Sequence, residues 1–264
     1  MKYYVVSDVH GFYTHWVNAL KLAGFFEEKE PCKVVVCGDL LDRGPEAVKT
    51  VEFALKLLEE DKLIYIRGNH EDLFENLVEY FEKDNDESFI DVPSHHISNG
   101  TWDTLIQLTG IRGTDALLRT KRLVTTAKNT LFWRKLLPET VDYFETKKYV
   151  FTHGYIPHKI RIDREKFQTC WRLATDEEWK KARWYNGMEV ACGMKKILPD
   201  KTVVVGHWHT SFGHYHYEKK GSEFGPKADF SPFYAEGIIA LDACTAFSGK
   251  MNCIVLKDEL EDTK

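Results

Sequence analysis

Seven short runs rich in β-branched and aromatic residues punctuate the chain, at 2–6, 33–37, 62–66, 148–152, 202–206, 237–242 and 251–256. The first five are each followed within four residues by an aspartate, asparagine or histidine. Runs of this length and composition read as strands. Between the first three, helical periodicity takes over: Trp16, Ala19, Leu20, Leu22 and Ala23, then Ala47, Val48, Val51, Ala54, Leu55 and Leu58. The order strand, helix, strand, helix, strand predicts an α/β fold with a largely parallel sheet and crossover helices. From 84 to 135 the rhythm breaks, with an acidic stretch (Asp84, Asn85, Asp86, Glu87) leading to helical patches at 102–108 and 131–137. This reads as a helical, cap-like insertion over one end of the sheet. Residues 155–200 are again helical, whereas 213–236, rich in Gly, Pro, His and aromatics, read as an ordered loop. No repeat, low-complexity tract or linker divides the chain, so a single domain over 1–264 is expected.

A chain of 264 residues with 43% hydrophobic content can bury a substantial core, which excludes a disordered class. The formal net charge of -5 and pI near 6.1 give no general attraction to nucleic acid or anionic membrane. Neither is an expected partner, and a phosphate-bearing ligand has to be captured locally. The chain enters Tyr3-Tyr4-Val5-Val6 after a single Lys, without the pattern of a secretion signal. No apolar run approaches the roughly 18–20 residues of a membrane span, so a cytoplasmic protein is expected. The cysteines at 32, 37, 170, 192, 244 and 253 form no CxxC pair and read as reduced thiols, none a metal ligand.

The polar residues at the strand ends carry the chemistry. Asp8 and His10 follow the first run, Asp39 the second, Asn69 and His70 the third, His153 the fourth and His207 the fifth. Loops at the carboxyl ends of neighbouring strands in an α/β sheet converge on one crevice, so five strand ends can deliver these side chains to one place. Alone, an Asp after a strand is more often a turn or cap residue; together the set suits divalent metal, carboxylates bringing charge and imidazoles favouring first-row transition ions. Six or seven ligands exceed the demand of one zinc, whereas a pair of cations roughly 3.5–4 Å apart bridged by a carboxylate uses them all. Asp39, central to the set, is the expected bridge.

Ser7-Asp8-Val9-His10-Gly11, Gly38-Asp39-Leu40-Leu41-Asp42-Arg43-Gly44 and Gly68-Asn69-His70-Glu71 resemble the signature of calcineurin-like metallophosphoesterases. The Asp-Arg-Gly element is similar to the phosphoprotein-phosphatase branch, which holds Ser/Thr protein phosphatases and symmetrical diadenosine tetraphosphatases. Smaller echoes at Asn99-Gly100-Thr101, Phe151-Thr152-His153-Gly154 and Ala240-Leu241-Asp242 extend the likeness over nearly the whole chain, most closely to bacterial and phage-type members. The resemblance implies a central β-sandwich of two mixed sheets flanked by helices. It implies that Asp8, His10 and Asp39 hold one metal and Asp39, Asn69, His153 and His207 the other. Two divalent ions are implied, manganese first, with iron, zinc or nickel compatible. Arg43, Asn69 and a second arginine beside a tryptophan, Arg183 or Arg172, are the implied phosphate contacts. Two departures stand out. Gly206-His207-Trp208-His209 carries a second histidine, which on an extended segment faces the same way as His207 and so joins the metal ligands. Tyr155, where a small residue is commoner, would restrict substrate access.

The expected reaction is hydrolysis of a phosphoric ester, a hydroxide bridging the metals attacking phosphorus in line. His70 is the expected general acid, oriented by Asp42, whose charge would raise its pKa. The expected substrate is a phosphorylated protein, in the manner of a Ser/Thr phosphatase. The alternative is a nucleotide or diadenosine polyphosphate, with the aromatics of 212–217, Phe230, Phe233 and Tyr234 as candidates to stack a base. A nuclease would need a basic groove, and no Lys/Arg cluster provides one.

Overall fold

In the first sheet, β1 (Lys2–Val6), β2 (Cys32–Cys37) and β3 (Leu63–Ile66) pair in parallel, crossed by α1 (Tyr13–Leu22) and α2 (Ala47–Glu59). A last strand, β9 (Ile254–Lys257), returns antiparallel on the free edge of β1, giving the order β3-β2-β1-β9. These features belong to a computed structural model that describes residues 1–83, 91–112, 120–158 and 171–260. The second sheet contains β4 (Phe144–Glu145), β5 (Tyr149–Phe151), β6 (Thr202–Val205), β7 (Phe233–Ala235) and β8 (Ile238–Ala240) in the order β4-β5-β6-β8-β7. Its centre, β5-β6-β8, is parallel and both edges are antiparallel. The strand periodicity alone predicted one largely parallel sheet; there are two mixed ones, as the family resemblance implied.

Pleating explains why the strand runs show no polar alternation. Tyr3, Val5, Val35, Cys37 and Ile66 point into the space between the sheets, against Phe151, Val204, Ile239 and Leu241. Their neighbours Tyr4, Val6, Val34 and Val36 point the other way, into the helical layer. Both faces of each central strand are covered, so past its first residues every position is apolar. On the far side, Val150, Val203, Val205 and Ile238 pack under Tyr155, Trp171, Trp179 and Met188.

The helices α3 (Asn69–Lys83), α5 (Thr101–Thr109) and α6 (Thr120–Lys128), with a π-helical turn at Phe132–Leu136, supply Phe74, Phe81, Leu105, Leu123 and Phe132 to the same cluster as the outer face of the first sheet, and the short α4 (Ser94–Ser98) leads into α5. The acidic stretch at 84–87 and Cys170 lie outside the described residues. The other five cysteines are free thiols. Residues 213–236 are not all loop: α8 (Thr210–His216) and β7 occupy its two ends. Three residues on an edge strand are too few for a period to register, and a helix containing Gly213 and two histidines has little apolar pattern of its own. Helix α7 (Asp176–Ala182) opens with a reciprocal cap between Thr175 and Glu178 and ends immediately before Arg183. No helix of the described residues is long and apolar enough to cross a membrane.

Phe151 is fully buried between the sheets, in contact range of the Tyr3 and Phe144 rings at 5.9 and 5.7 Å. Phe151→Ala is expected to lower the unfolding free energy by about 3–5 kcal/mol, read from urea denaturation with an unchanged m-value.

Candidate metal centre

Beyond the last ladder bonds the strands remain stitched together. Asp8 N donates to Gly38 O at 3.2 Å and His10 N to Asp39 O at 2.9 Å, while Gly206 N donates to His153 O at 2.8 Å and Leu241 N to Val205 O at 3.0 Å. The carboxyl-terminal loops of β1, β2, β5, β6 and β8 therefore continue their sheets' order into the site. Six side-chain-bearing residues there adopt left-handed backbone: Asp8 (φ 50°), His10 (50°), Asp39 (53°), Asp42 (76°), Arg43 (65°) and His207 (66°). This conformation disfavours residues with a Cβ, by less for Asp, and it gathers where function fixes the geometry. Close approach also explains two glycines. A Cβ on Gly38 (φ +81°) would run into the His153 ring, and one on Gly68 into the Asp39 carboxylate.

Asp8, His10, Asp39, Asn69, His70 and His153 are at most 3% exposed. Among the described residues, two sets of donor atoms each lie within 4.8 Å of one another: His10, Asp39 and His70, and Asp39, His153 and His207. Asp39 belongs to both. Its Oδ2 is 3.7 Å from His10 Nε2 and 3.8 Å from His70 Nε2, and its Oδ1 is 3.3 Å from His153 Nε2. Asn69 Oδ1 lies 2.8 Å from His153 Nε2. Both oxygens of Asp8 accept from the His207 backbone N–H, at 3.1 and 3.0 Å.

The imidazoles are aimed by the backbone. His10 Nδ1 donates to Leu41 O at 2.9 Å and His153 Nδ1 to Cys37 O at 2.8 Å, which leaves both Nε2 atoms directed inward. His207 hydrogen-bonds the backbone of Trp184. Such ties fix ring orientation in the way that carbonyls orient metal-bound histidines.

Electrostatically the site holds more buried acid than it can leave ionised without cations. Burial, then the nearby Asp242, pushes Asp8 well up, and burial also raises Asp242. Burial opposes ionisation of Asp39 as well, but His153 and His70 outweigh it and hold that carboxyl well below its ordinary range. His153 pays a burial penalty that the Asp39 charge overcomes, bringing it to about 10. Burial and then His153 press His207 down to about 3, and burial with Arg43 lowers His10. Inward nitrogens around a buried carboxylate, with further acids beside them, fit divalent cations in both charge and donor type.

The Asp42 and His70 side chains meet as expected. His70 Nδ1 is 2.7 Å from Asp42 Oδ2, which also accepts from Thr101 Oγ1 at 2.8 Å. Burial lowers the His70 pKa, yet Asp39 and the hydrogen bond to Asp42 prevail and raise it above 6.5. Arg43 is exposed, with Nη1 donating to His10 Nε2 at 2.7 Å and Nη2 to His70 Nε2 at 3.2 Å.

The other predicted residues are placed elsewhere. Arg183 is 6% exposed, its Nη1 donating to Asp72 at 2.6 Å and its Nη2 to Asp142, so a phosphate would have to compete with two carboxylates for it. Arg172 pairs with Glu145 and lies over the Trp171 ring at 4.4 Å. The structure does not bring His209 into either donor set. Left-handed His207 ends the extended backbone, and His209 Nε2 turns to Glu223 Oε1 at 3.1 Å. Tyr155 is fully buried and donates to Lys196 O at 2.7 Å. Its ring fills the core, so it does not obstruct access.

Sequence reasoning passed over Glu71. Its Oε2 accepts from Asp39 N at 3.0 Å and Gly68 N at 2.7 Å, and its Oε1 from Leu40 N at 3.0 Å and Tyr65 OH at 2.7 Å. One buried carboxylate thus fixes the loops that present Asp39 and Asn69. The only signal was its place in Gly-Asn-His-Glu. Asp242, in Ala-Leu-Asp, was likewise visible only as a motif echo; its Oδ1 accepts from Cys244 N at 2.6 Å.

A two-sheet α/β sandwich carries this centre at the carboxyl ends of its strands. The chain matches the calcineurin-like phosphoesterase family over residues 1–211 and belongs to it. It is 36% identical over 76 residues to the asymmetrical bis(5'-nucleosyl)-tetraphosphatase PrpE of Geobacillus sp. (strain WCH70), covering 26% of this chain and 31% of that protein. To the symmetrical bis(5'-nucleosyl)-tetraphosphatase of Buchnera aphidicola subsp. Acyrthosiphon pisum (strain 5A) it is 32% identical over 71 residues, 27% of this chain and 24% of that protein. The chain therefore spans less than a third of the length of these curated relatives. Among solved structures, a putative diadenosine tetraphosphatase aligns with TM-score 0.52 and 15% identity, over 97% of this chain and 89% of that one. A cold-active protein-tyrosine phosphatase of Shewanella sp. aligns with TM-score 0.50 and 15% identity, over 97% and 75%. At that identity the likeness is one of fold.

In Glu71→Gln, whichever way the amide turns, its NH₂ faces two donors. The variant is expected to lose about 2–4 kcal/mol of stability, measured by chemical denaturation.

Proposed function

We propose that this chain hydrolyses phosphoric esters with two divalent cations, manganese first and iron, zinc or nickel as alternatives, and that its substrate is a nucleoside polyphosphate. The carrying observation is the pair of donor sets that share the buried Asp39. Asp8, His10 and Asp39 would hold one ion, and Asp39, Asn69, His153 and His207 the other, with His209 left out because it pairs with Glu223. The ions supply neutralisation of phosphate charge and acidification of water at neutral pH. Of the two substrates expected from sequence, phosphoprotein and nucleotide, the second is favoured by relatives named as bis(5'-nucleosyl)-tetraphosphatases.

The chain's own side chains bind phosphate and move a proton. Arg43 already has one edge in solvent, and its planar fork can take two phosphate oxygens. In turning to phosphate it releases His70 Nε2, to which it donates in the structure. His70, its Nδ1 fixed on Asp42, then carries a proton on Nε2 to the leaving oxygen as the P–O bond to that oxygen, anhydride in a polyphosphate and ester in a monophosphate, breaks and the bond from water oxygen to phosphorus forms. The Asp42 carboxylate on Nδ1 favours the protonated ring, as an acid requires.

The reading is tested by turnover of a phosphopeptide, AMP and diadenosine tetraphosphate with manganese present; no hydrolysis of any would overturn it, and hydrolysis of the phosphopeptide alone would overturn its substrate. Asp39→Asn is expected to lower occupancy of both metals together and His10→Ala mainly one, as counted by elemental analysis of the purified variants. Two metals retained at unchanged affinity in Asp39→Asn would remove the shared carboxylate. His70→Asn is expected to keep its metals and lose about 10²–10⁴ in kcat. The loss should shrink for an aryl phosphate, whose leaving group needs little protonation; an equal loss for alkyl and aryl esters would give His70 another role.

A further inference from the structure

A cleft of about 230 Å³ opens beside Asn69, and its walls include Asp72, Asn76, Glu79, Lys180 and Trp184. Asn69 also meets His153 Nε2 of the donor cluster at 2.8 Å, so the cleft adjoins the centre. Two larger clefts, of about 540 and 560 Å³, lie against Lys2 and Cys32, where β1 and β2 begin, at the other end of the sheet.

Trp184 sets this cleft apart. All seven tryptophans are described, and only Trp184 (51%) and Trp208 (36%) are exposed. Both lie beside the same ring: Trp184 meets His207 edge-on at 5.8 Å and Trp208 at 6.0 Å. Trp16, Trp171 and Trp179 are buried in the cores. Leaving indoles in water costs apolar surface, so their concentration at the mouth of the centre points to a planar ligand.

Charge narrows the ligand. Asp72 is tied to Arg67 and Arg183 and Glu75 to Arg67, which leaves on the exposed rim the Asn76 amide and the Glu79 carboxylate, one of whose oxygens accepts from Lys83 at 3.3 Å, with Lys180 also lining the cleft. A phosphate gains little from that rim and has Arg43 nearby instead. A neutral ring that donates N–H groups gains both a stacking surface and acceptors. A phosphotyrosine ring, joined directly to the ester oxygen, would lie over the donor atoms, whereas a nucleobase is carried a ribose farther out.

Resting on the phosphoester reading above, we infer that this cleft holds the substrate's nucleobase, stacked on Trp184 with its exocyclic amine toward Asn76 and Glu79. The test is calorimetric binding of AMP and of ribose 5-phosphate to the metal-loaded chain, alongside kcat/KM for diadenosine tetraphosphate. The wild type should bind AMP more tightly than ribose 5-phosphate. Trp184→Ala should erase that preference, weakening AMP about ten-fold or more, and should lower kcat/KM for the dinucleotide chiefly through KM. Trp184→Phe, which keeps a stacking face, should restore most of both. Equal wild-type affinity for the two ligands would overturn the inference. So would an equal loss for both in Trp184→Ala, or tighter binding of a phosphotyrosyl peptide than of AMP that depends on Trp184. Should no ester be turned over, the function above fails, while the comparison of AMP with ribose 5-phosphate still decides what the cleft binds.

Discussion

Asp39 is a carboxylate that water scarcely reaches, and a buried charge of that kind costs several kcal/mol unless neighbours compensate it. The site can be understood as that compensation. The His70 amide donates to Oδ1 at 3.0 Å, three imidazoles approach within 3.8 Å, and Glu71 fixes the Asp39 backbone by accepting its N–H. The imidazoles respond unequally. Without cations His153, closest to Asp39 and near Asp8, is driven to hold its proton, whereas burial, helped by the Arg43 guanidinium at His10 and by His153 at His207, drives those two to shed theirs. Asp39 pulls each of them toward the protonated form; at His10 and His207 burial outweighs that pull, and at His153 it does not.

The same contacts join the sheets. His153, from the second sheet, donates to the carbonyl of Cys37 at the end of β2, and the amide of His207 donates to Asp8, beyond β1. Between the sheets the packing is wholly apolar, through residues such as Val5, Val35 and Val204. Hydrophobic burial has no direction and does not set how two faces are aligned at their rim, whereas hydrogen bonds with fixed partners do. The geometry of the centre and the alignment of the sheets are accordingly one arrangement.

What the sequence made legible was position along strands. All seven strands predicted from β-branched runs are present; in the inner strands both faces are buried and the runs are continuous, while β9 at the edge is half exposed. Asp8, Asp39, Asn69 and His153 converge because each follows the end of such a strand. What the sequence hid was dihedral angle and partner. His209 was expected beside the metals because residues two apart on an extended chain face the same way, but a φ of 66° at His207 ends the extension first. Arg183 sits near a tryptophan as the resemblance asked, yet Asp72 and Asp142, distant in sequence, claim its guanidinium. Glu71 acts on backbone amides, and no residue pattern announces a partner that every residue carries.

The six left-handed residues at the centre carry a consequence for how this chain can change. Each pays about 1 kcal/mol in backbone energy that glycine would not, and Asp8, His10, Asp39, Asp42, Arg43 and His207 are also the positions where a side chain is needed. Selection for folding and selection for chemistry therefore pull these codons in opposite directions. Glycine at any of them would relieve the backbone and forfeit what the side chain holds, as Asp8 holds the His207 amide, so strain and need are fixed at the same six positions.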